Sequence, residues 1–178
     1  MHLNPYGAAA VTLAAALANR RPRDAADLAR RCQEAGLVLE SPVTDHDVVR
    51  LRHVLDTWEA IVDAGDDTAR AGLLNEMLAV AAAYPRLTDH SGGWHLHYRD
   101  PGRPLGEVLH SLFAVGTALH LAGRGMHRLG RCAAGPCTLI FADVSRTGRQ
   151  RYCSTRCANR DAVRRHRALA AQPHRRSA

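Results

Sequence analysis

The amino-acid sequence predicts a mainly α-helical protein with two parts: an N-terminal helical domain that includes a small β-hairpin, and a C-terminal treble-clef-like zinc finger. Aromatic residues make up only 4% of the 178 residues, and alanine and leucine dominate, which favours helices over strands. Apolar residues recur at helical spacing from Leu13 to Leu119. Four of the five cysteines lie between Cys132 and Cys157. We therefore expect domains at residues 1–125 and 126–178.

The first two helices are predicted from short apolar segments and their caps. The first runs from about Gly7 to Ala18; three arginines follow it and no arginine or lysine precedes it, which is the reverse of the charge order in a signal peptide. We therefore expect an amphipathic or buried helix in a cytoplasmic protein. The second begins at the N-cap Asp24 and ends at Gly36. Its apolar face should hold the unpaired cysteine as a core residue, with inward positions Leu28, Cys32 and Ala35.

Three longer helices complete the predicted core. Thr44 and Asp47 give a capping signal, followed at steps of three and four by Val48, Leu51, Leu55, Trp58 and Val62. A fourth helix spans about 67–83 and stops at Pro85, with inward residues Leu73, Leu74, Met77, Leu78 and Ala81. A fifth follows Pro104 and reaches Gly123. Gly123 and Gly125 suggest a hinge before the finger, and the alternative is that Met126 and Leu129 pack as one more turn. No stretch approaches the ~20 apolar residues of a membrane span, so we expect no membrane partner.

A β-hairpin is predicted between the fourth and fifth helices, with strands near 86–89 and 94–99 joined by a turn at 91–93. Alternation places His95 and His97 on one face of the second strand and the apolar residues Trp94, Leu96 and Tyr98 on the other. The simpler interpretation is two solvent-facing histidines on a hairpin laid over the helical core. The alternative is that His95 and His97 form half of a metal or anion site that senses a small-molecule effector.

The cysteine spacing predicts one structural zinc ion per chain, with ligands Cys132, Cys137, Cys153 and Cys157. Each close pair can supply two thiolates from one tight turn, and four cysteines leave no open position for a substrate. A hairpin is expected between the pairs, formed by 138–142 and 150–152, followed by a helix from Ala158 to Ala171 that Ser154 caps. Two disulfides are the alternative, but nothing else in the chain indicates an oxidising compartment.

The finger also resembles a known family. The segment 141–154 (FADVSRTGRQRYCS) with Cys157-Ala158-Asn159-Arg160 resembles the CGNR zinc finger of bacterial transcription regulators, and 92–99 (GGWHLHYR) is similar to the ABATE domain that precedes that finger. The resemblance covers nearly the whole chain and is strongest over 129–167. It implies DNA binding by the finger and transcriptional regulation. The motif that names the family has glycine where this chain has Ala158, and alanine suits a helix better.

Charge is unevenly distributed along the chain. All 24 basic residues are arginine; residues 124–178 carry a net charge of +11 and residues 1–123 a net charge of −4. A basic module on an acidic body indicates binding to a polyanion, with double-stranded DNA as the expected partner. The candidate contacts are Arg146, Arg149, Arg151, Arg156, Asn159, Arg160, Arg164, Arg165 and Arg167. Among them, Arg164 is expected to bind phosphate and Arg160 to contact a base. Asn159 is the one side chain of this helix suited to pairing with an adenine edge, but the favoured interpretation is that it orients the zinc loop.

Three functions are compatible with these patterns. The first is a DNA-binding regulator whose N-terminal domain senses a signal or mediates assembly, for example as a homodimer. The second is an adaptor that binds RNA or a protein partner, a role that zinc fingers also serve. The third is an enzyme or metal sensor centred on His95 and His97. Because the sequence contains no phosphate loop, nucleophile elbow or His-Glu helix motif, we expect that the protein is not an enzyme.

Overall fold

The computed structural model describes residues 7–81, 83–89 and 94–170, which form a helical body with a small finger at its C-terminal end. The body contains α1 (Ala8–Asn19), α2 (Ala25–Glu34), α3 (Asp45–Asp63), α4 (Asp67–Ala81), β1 (Arg86–Thr88), β2 (His95–His97) and α5 (Leu105–Arg124). A 3₁₀ turn (Met126–Arg128) leads to β3 (Leu129–Arg131), β4 (Ile140–Ala142) and α6 (Thr155–Ala170). The predicted fold class, mainly α with one hairpin in the body and a C-terminal four-cysteine finger, is confirmed.

Local capping fixes where the helices of the body begin. The Asp24 side chain accepts a hydrogen bond from the Asp27 amide at 2.7 Å, which caps α2 as predicted. Thr44 and Asp47 form a reciprocal capping box at the start of α3. The second carboxylate oxygen of Asp47 accepts from the Gly106 amide at 2.8 Å, so the same side chain also joins α3 to the start of α5.

The core lies where α3 and α5 pack side by side. All five residues predicted to face inward on α3 are buried, and Trp58 is fully enclosed, with its indole Nε1 donating to Thr117 Oγ1 on α5 at 2.8 Å. Within the described residues, α5 is the one helix long and apolar enough to cross a membrane, although no such stretch was expected from the sequence. Because 72% of that segment is buried inside the structure, its apolar composition is that of a core helix.

Helix α1 crosses α5 at very short range. A Cβ atom built on Gly116 would lie 2.2 Å from the Ala10 Cβ, so only glycine fits α5 at this crossing. Val11 and Leu17 are completely buried in the same contact region. The predicted buried helix at the N-terminus is therefore confirmed.

Some inward positions were assigned wrongly. Ala35 is exposed because α2 ends at Glu34 and Ala35 is only its C-cap, whereas Leu28 and Cys32 are fully buried as predicted. On α4, Leu74 and Met77 are buried, and the remaining three predicted residues are half-buried at the edge of the core. An amphipathic pattern thus located the buried face but not how far the packing extends along it.

The first hairpin is present, with β1 and β2 antiparallel and Leu87 opposite Leu96. Its predicted turn lies outside the described residues. The Trp94 side chain is 71% exposed and Leu96 is 43% exposed, so the apolar face of β2 is not laid over the core as expected. His95 and His97 are half-buried instead of solvent-facing.

The second two-stranded sheet differs from the predicted hairpin of the finger. Strand β4 pairs antiparallel with β3, which precedes the first cysteine, and 150–152 form no strand. We call β3 and β4 the ribbon. Its side chains Leu129 and Ile140 are each 2% exposed and belong to the same apolar core as α1, α3 and α5. Burial of these two side chains explains the pairing, which the sequence alone does not indicate.

The ribbon is also tied to the body by polar contacts. The Asn19 carboxamide at the end of α1 donates to the Ile140 carbonyl at 2.8 Å and accepts from the Ile140 amide at 2.7 Å. Arg131 on β3 pairs with Asp63 at 2.7 Å and with Glu59 at 3.1 Å, both on α3. Helix α5 continues through Gly123 to Arg124, and Met126 and Leu129 pack on the core after a further 3₁₀ turn. This is the alternative to a hinge that the sequence also allowed. The boundary at 125/126 stays a prediction, but the apolar core extends across it.

Candidate metal centre and nucleic-acid interface

The first cysteine pair lies in the loop that joins the two strands of the ribbon. The Cys132 amide donates to the Leu139 carbonyl at 2.9 Å, and the Cys137 amide donates to the Ala134 carbonyl at 2.7 Å. These two bonds fold residues 132–139 into a tight turn with both thiols on the same side. The Ala133 amide, bonded to the Arg151 carbonyl at 2.8 Å, attaches the turn to the segment before the second pair.

The second cysteine pair is positioned by the start of α6. The Ser154 hydroxyl accepts a hydrogen bond from the Cys157 amide at 3.3 Å, which is the cap predicted from the sequence. Cys153 lies in the turn before the helix and Cys157 in its first turn. Ala158, the departure from the family's glycine, lies within this helical turn, where alanine is favourable.

The four thiols converge on one point. Their Sγ atoms all lie within 4.8 Å of one another; Cys153 Sγ is 3.7 Å from Cys137 Sγ and 3.6 Å from Cys157 Sγ. Ligands ~2.3 Å from a tetrahedral zinc ion are separated by about 3.8 Å, so these distances suit zinc. All four cysteines are free thiols, and the alternative of two disulfides is not observed. The predicted set of cysteines thus fits one zinc ion per chain.

The surroundings of two of the sulfur atoms shift their pKa values in opposite directions. The Ser154 hydroxyl lowers the pKa of Cys157 to about 7, whereas burial raises the pKa of Cys153 to about 12. The Cys153 amide donates to Cys132 Sγ at 3.4 Å, and the Arg160 guanidinium donates to Cys157 Sγ at 3.4 Å. Such donors stabilise metal-bound thiolates. With four protein ligands, the ion would join the ribbon loop to α6 and leave no position for a substrate.

Asp143 organises the segment between the two cysteine pairs, a role that no sequence motif indicates. Its carboxylate is 1% exposed and accepts from the Ser145 amide at 2.9 Å and the Gln150 amide at 3.0 Å. Burial opposes ionisation of Asp143, but the hydrogen bond from the Ser145 hydroxyl, the two amide bonds and the Arg128 charge 3.6 Å away outweigh it and hold its pKa below the usual value. The carboxylate therefore fixes the loop that carries Arg146 and Arg149.

Asp161 plays a similar part on α6. It is buried and accepts from the Tyr152 hydroxyl at 2.8 Å, which holds its pKa below the usual value together with Arg164 and Arg165. Arg164 pairs with it at 2.6 Å and Arg165 at 3.1 Å. The sequence does contain a signal for both aspartates. They are the two acids of a strongly basic segment, so many arginines are available to pair with each of them.

The structure separates the predicted DNA-contacting arginines into two groups. All eight side chains are exposed, but three of them have partners within the finger. Arg160 is hydrogen-bonded to Cys157 Sγ, and Arg164 and Arg165 are ion-paired with Asp161. The remaining five have no carboxylate partner in the described part of the chain: Arg146, Arg149, Arg151, Arg156 and Arg167. We call these five the unpaired arginines.

Asn159 does not hold the zinc loop in place. Its side chain is exposed and has no hydrogen-bond partner among the described residues. It lies on an open groove of α6 with Arg160, Val163, Arg164 and Arg167. The structural role expected for Asn159 from the sequence is therefore not observed.

The two histidines of the hairpin come together on the face of β2. His95 Nε2 lies 3.0 Å from His97 Nε2, with the rings edge to face. Over 7–81, 83–89 and 94–170, however, the only group of three or more residues arranged to hold a metal is the cysteine cluster. The predicted pairing of His95 with His97 is present, and no third metal ligand joins it within these ranges.

A helical body joined to a four-cysteine zinc site defines a zinc-finger protein. Comparison with family models identifies the CGNR zinc finger over residues 128–169, and the ABATE family, described as "putative stress-induced transcription regulator", over residues 7–135. The chain belongs to the ABATE family, as its resemblance indicated. The two matches overlap at 128–135, which contains β3 and Cys132, the segment shared between body and finger in the structure. No curated protein matches the chain.

Proposed function

We propose that this protein is a DNA-binding transcription regulator whose zinc finger contacts duplex DNA through the unpaired arginines. One observation carries the proposal: the two acids of the finger, Asp143 and Asp161, are buried and already bound, so they leave the unpaired arginines without a counter-charge. Phosphate groups of a nucleic acid supply that counter-charge and release bound cations as they do so.

The unpaired arginines belong to two neighbouring elements. Arg156 and Arg167 are on α6, and Arg146, Arg149 and Arg151 belong to the segment that Asp143 fixes. In this arrangement the helix can lie against the duplex while the loop contacts an adjacent phosphate. With a zinc ion bound, the four cysteines would hold α6 against the loop of the ribbon, so the surface proposed to bind DNA would depend on the metal.

Base recognition is assigned to Asn159 in place of Arg160. The Arg160 guanidinium donates to Cys157 Sγ, and contact with a base would have to break this bond. The Asn159 carboxamide is exposed and can pair with an adenine edge through two hydrogen bonds. Val163 follows one turn later and is 50% exposed, which suits contact with a thymine methyl group.

A salt titration tests the proposal. Binding of zinc-loaded protein to duplex DNA is measured by fluorescence anisotropy for wild type, Arg156→Ala and Arg167→Ala. Contact with four to six phosphates gives a log–log slope of about −4 to −5, and each substitution reduces its magnitude by about one. The matched control is Arg52→Ala, an exposed arginine on α3 of the acidic body, which should leave the slope unchanged.

The competing function is an adaptor that binds RNA or a protein. A shallow slope for wild type, or α6 variants that bind like Arg52→Ala, would contradict duplex binding by α6. Tighter binding to single-stranded RNA than to duplex DNA of equal length would favour the adaptor instead.

A further inference from the structure

A polar cavity of about 230 Å³ opens between α3, the end of α4 and the start of α5, far along the chain from the cysteine cluster. Its polar walls are formed by Arg50, Arg99, Asp100, Arg103, Glu107, His110 and Ser111. The zinc site and the finger use none of these residues.

Among the described charged side chains around this cavity, one arginine has no acidic partner. Arg103 pairs with Glu107, and Arg99 pairs with Glu40 at 2.6 Å. Asp100, the other acid of the walls, lies 3.2 Å from Arg86. Within the described ranges, no carboxylate pairs with Arg50, so its positive charge faces the cavity uncompensated.

Arg50 is held at the cavity by packing of its aliphatic stem. A Cβ atom built on Gly106 would lie 2.8 Å from the Arg50 Cβ and 2.9 Å from its Cγ, so the stem lies directly against the start of α5. The Gly106 amide is fixed by Asp47 at 2.8 Å. The guanidinium is thus placed without an ion pair, which leaves its planar fork of donors available to an anion.

The groups beside Arg50 suit a carboxylate more than a highly charged anion. His110 is half-buried, and burial together with the Arg50 charge lowers its pKa, so its ring is neutral near pH 7 and can donate one hydrogen bond. The acids of the walls face the same space and disfavour a second negative charge on the ligand. A single unpaired guanidinium matches a single carboxylate with two parallel hydrogen bonds.

An apolar cavity adjoins the polar one. It has a volume of about 50 Å³, shares Arg99 and Ser111 with the polar cavity, and is lined by Leu37, Leu96, Val108 and Leu112. This space accommodates a few carbon atoms. His97, which the sequence suggested as a sensing residue, lines this second cavity.

We propose that the two cavities together bind a small organic carboxylate, with its head group on Arg50 and a short hydrocarbon chain between Val108 and Leu112. The two helices that border the proposed site also contact the finger. On α3, Glu59 and Asp63 bind Arg131. At the end of α5, Arg124 donates to the Val144 carbonyl at 3.2 Å. This inference goes beyond the proposed DNA binding and does not depend on it.

The test uses full-length, zinc-loaded protein without DNA, and butyrate as the probe. Saturation-transfer NMR at constant ionic strength gives the affinity for butyrate and acetate. Inorganic phosphate has no carbon-bound protons, so its affinity is measured by competition against the butyrate signal. Butyrate should bind more tightly than acetate because only butyrate fills the apolar cavity. Arg50→Gln should weaken butyrate binding about tenfold, since it removes the charge-assisted pair. The control Arg52→Gln removes an equal charge two residues away on the same helix and should bind butyrate like wild type.

Three outcomes would overturn the assignment. One is the absence of any saturation transfer to butyrate. Another is equal weakening by Arg50→Gln and Arg52→Gln, which would indicate a general charge effect. The third is phosphate binding as tight as butyrate binding, which would indicate an unselective anion site. None of these results bears on duplex binding by the finger, so the two proposals can fail separately.

Discussion

Individual side chains decide whether the finger forms. The four thiols that converge on one point come from two turns, and each turn is closed by a backbone hydrogen bond or a serine cap. Spacing alone was enough to predict these ligands, because close cysteine pairs have few other uses inside a small, polar segment. The roles of Asp143 and Asp161 could not be predicted in the same way, since burial of a carboxylate depends on which arginines and amides the folded chain brings around it.

Loss of one zinc ligand should unfold the finger and spare the body. Cys153→Ser removes a thiolate from a four-ligand site, and three remaining thiols hold the metal poorly. We expect zinc content, measured by mass spectrometry of the metal, to fall well below one ion per chain. Circular dichroism should show loss of helix corresponding to α6, while a cooperative thermal transition remains.

Cys32 provides the matched control for this experiment. It is fully buried in the body, and burial raises its pKa to about 12, so it is unreactive toward both metal and alkylating reagents. Cys32→Ala should keep one zinc ion per chain and cost about 1 kcal/mol of stability, because it leaves only a small cavity. Full zinc content in Cys153→Ser would show that Cys153 is not a ligand.

At the scale of helices and strands, prediction succeeded wherever the cause is local. The structure has the caps at Asp24 and Thr44 and the spacing of buried residues on α3 as expected. These features depend only on residues close together in the sequence. The partner of β4 could not be found this way. Strands of three residues carry almost no pairing preference of their own, and β4 pairs with β3 because Leu129 and Ile140 are thereby buried in the core of the body.

The junction of α3 and α5 should depend on pH through Asp47. Its carboxylate is 2% exposed; burial opposes ionisation, but bonds from Gly106 and Thr44 outweigh it, and its pKa lies below the usual value. Because the pKa of Asp47 is lower in the folded state, its carboxylate stabilises the fold fully above the unfolded-state pKa of about 3.9. This stabilisation is lost as the pH falls through the lower, folded-state pKa. Asp47→Asn should therefore cost about 1–3 kcal/mol at pH 7.

Urea denaturation at several pH values, followed by tryptophan fluorescence, measures this effect. The difference in stability between wild type and Asp47→Asn should shrink below about pH 4. Asp45→Asn in the same turn of α3 removes a charge without removing the bond to Gly106, and should cost less than about 1 kcal/mol. A difference that stays constant down to low pH would contradict the role assigned to the Asp47 carboxylate.

For the molecule as a whole, the ribbon connects the finger to the body. The sequence indicated a body that ends near Gly123 and folds alone, yet the apolar core also contains Leu129 and Ile140 from the ribbon. Asn19 adds two hydrogen bonds to the Ile140 backbone. A body cut off before the ribbon therefore exposes part of its own core.

Two fragments separate these descriptions of the boundary. The fragment 7–142, with Cys132 and Cys137 changed to serine, should be more stable than 7–124 by about 3–6 kcal/mol, because burial of each large aliphatic side chain contributes about 1.5–3 kcal/mol. Urea denaturation of both fragments measures the difference. Equal transition midpoints would show that the body is complete without the ribbon, as the sequence suggested.

The ion pairs of Arg131 with Glu59 and Asp63 fix the orientation of a finger with excess positive charge against a body with excess negative charge. The molecule is therefore an electric dipole, positive at the finger and negative at the body. The field of a polyanion exerts a torque on such a molecule and turns its positive end towards the polyanion before contact. This torque acts within about one Debye length, ~8 Å at physiological salt. Encounters that begin with the body facing the polyanion can thus be converted into productive ones by rotation alone.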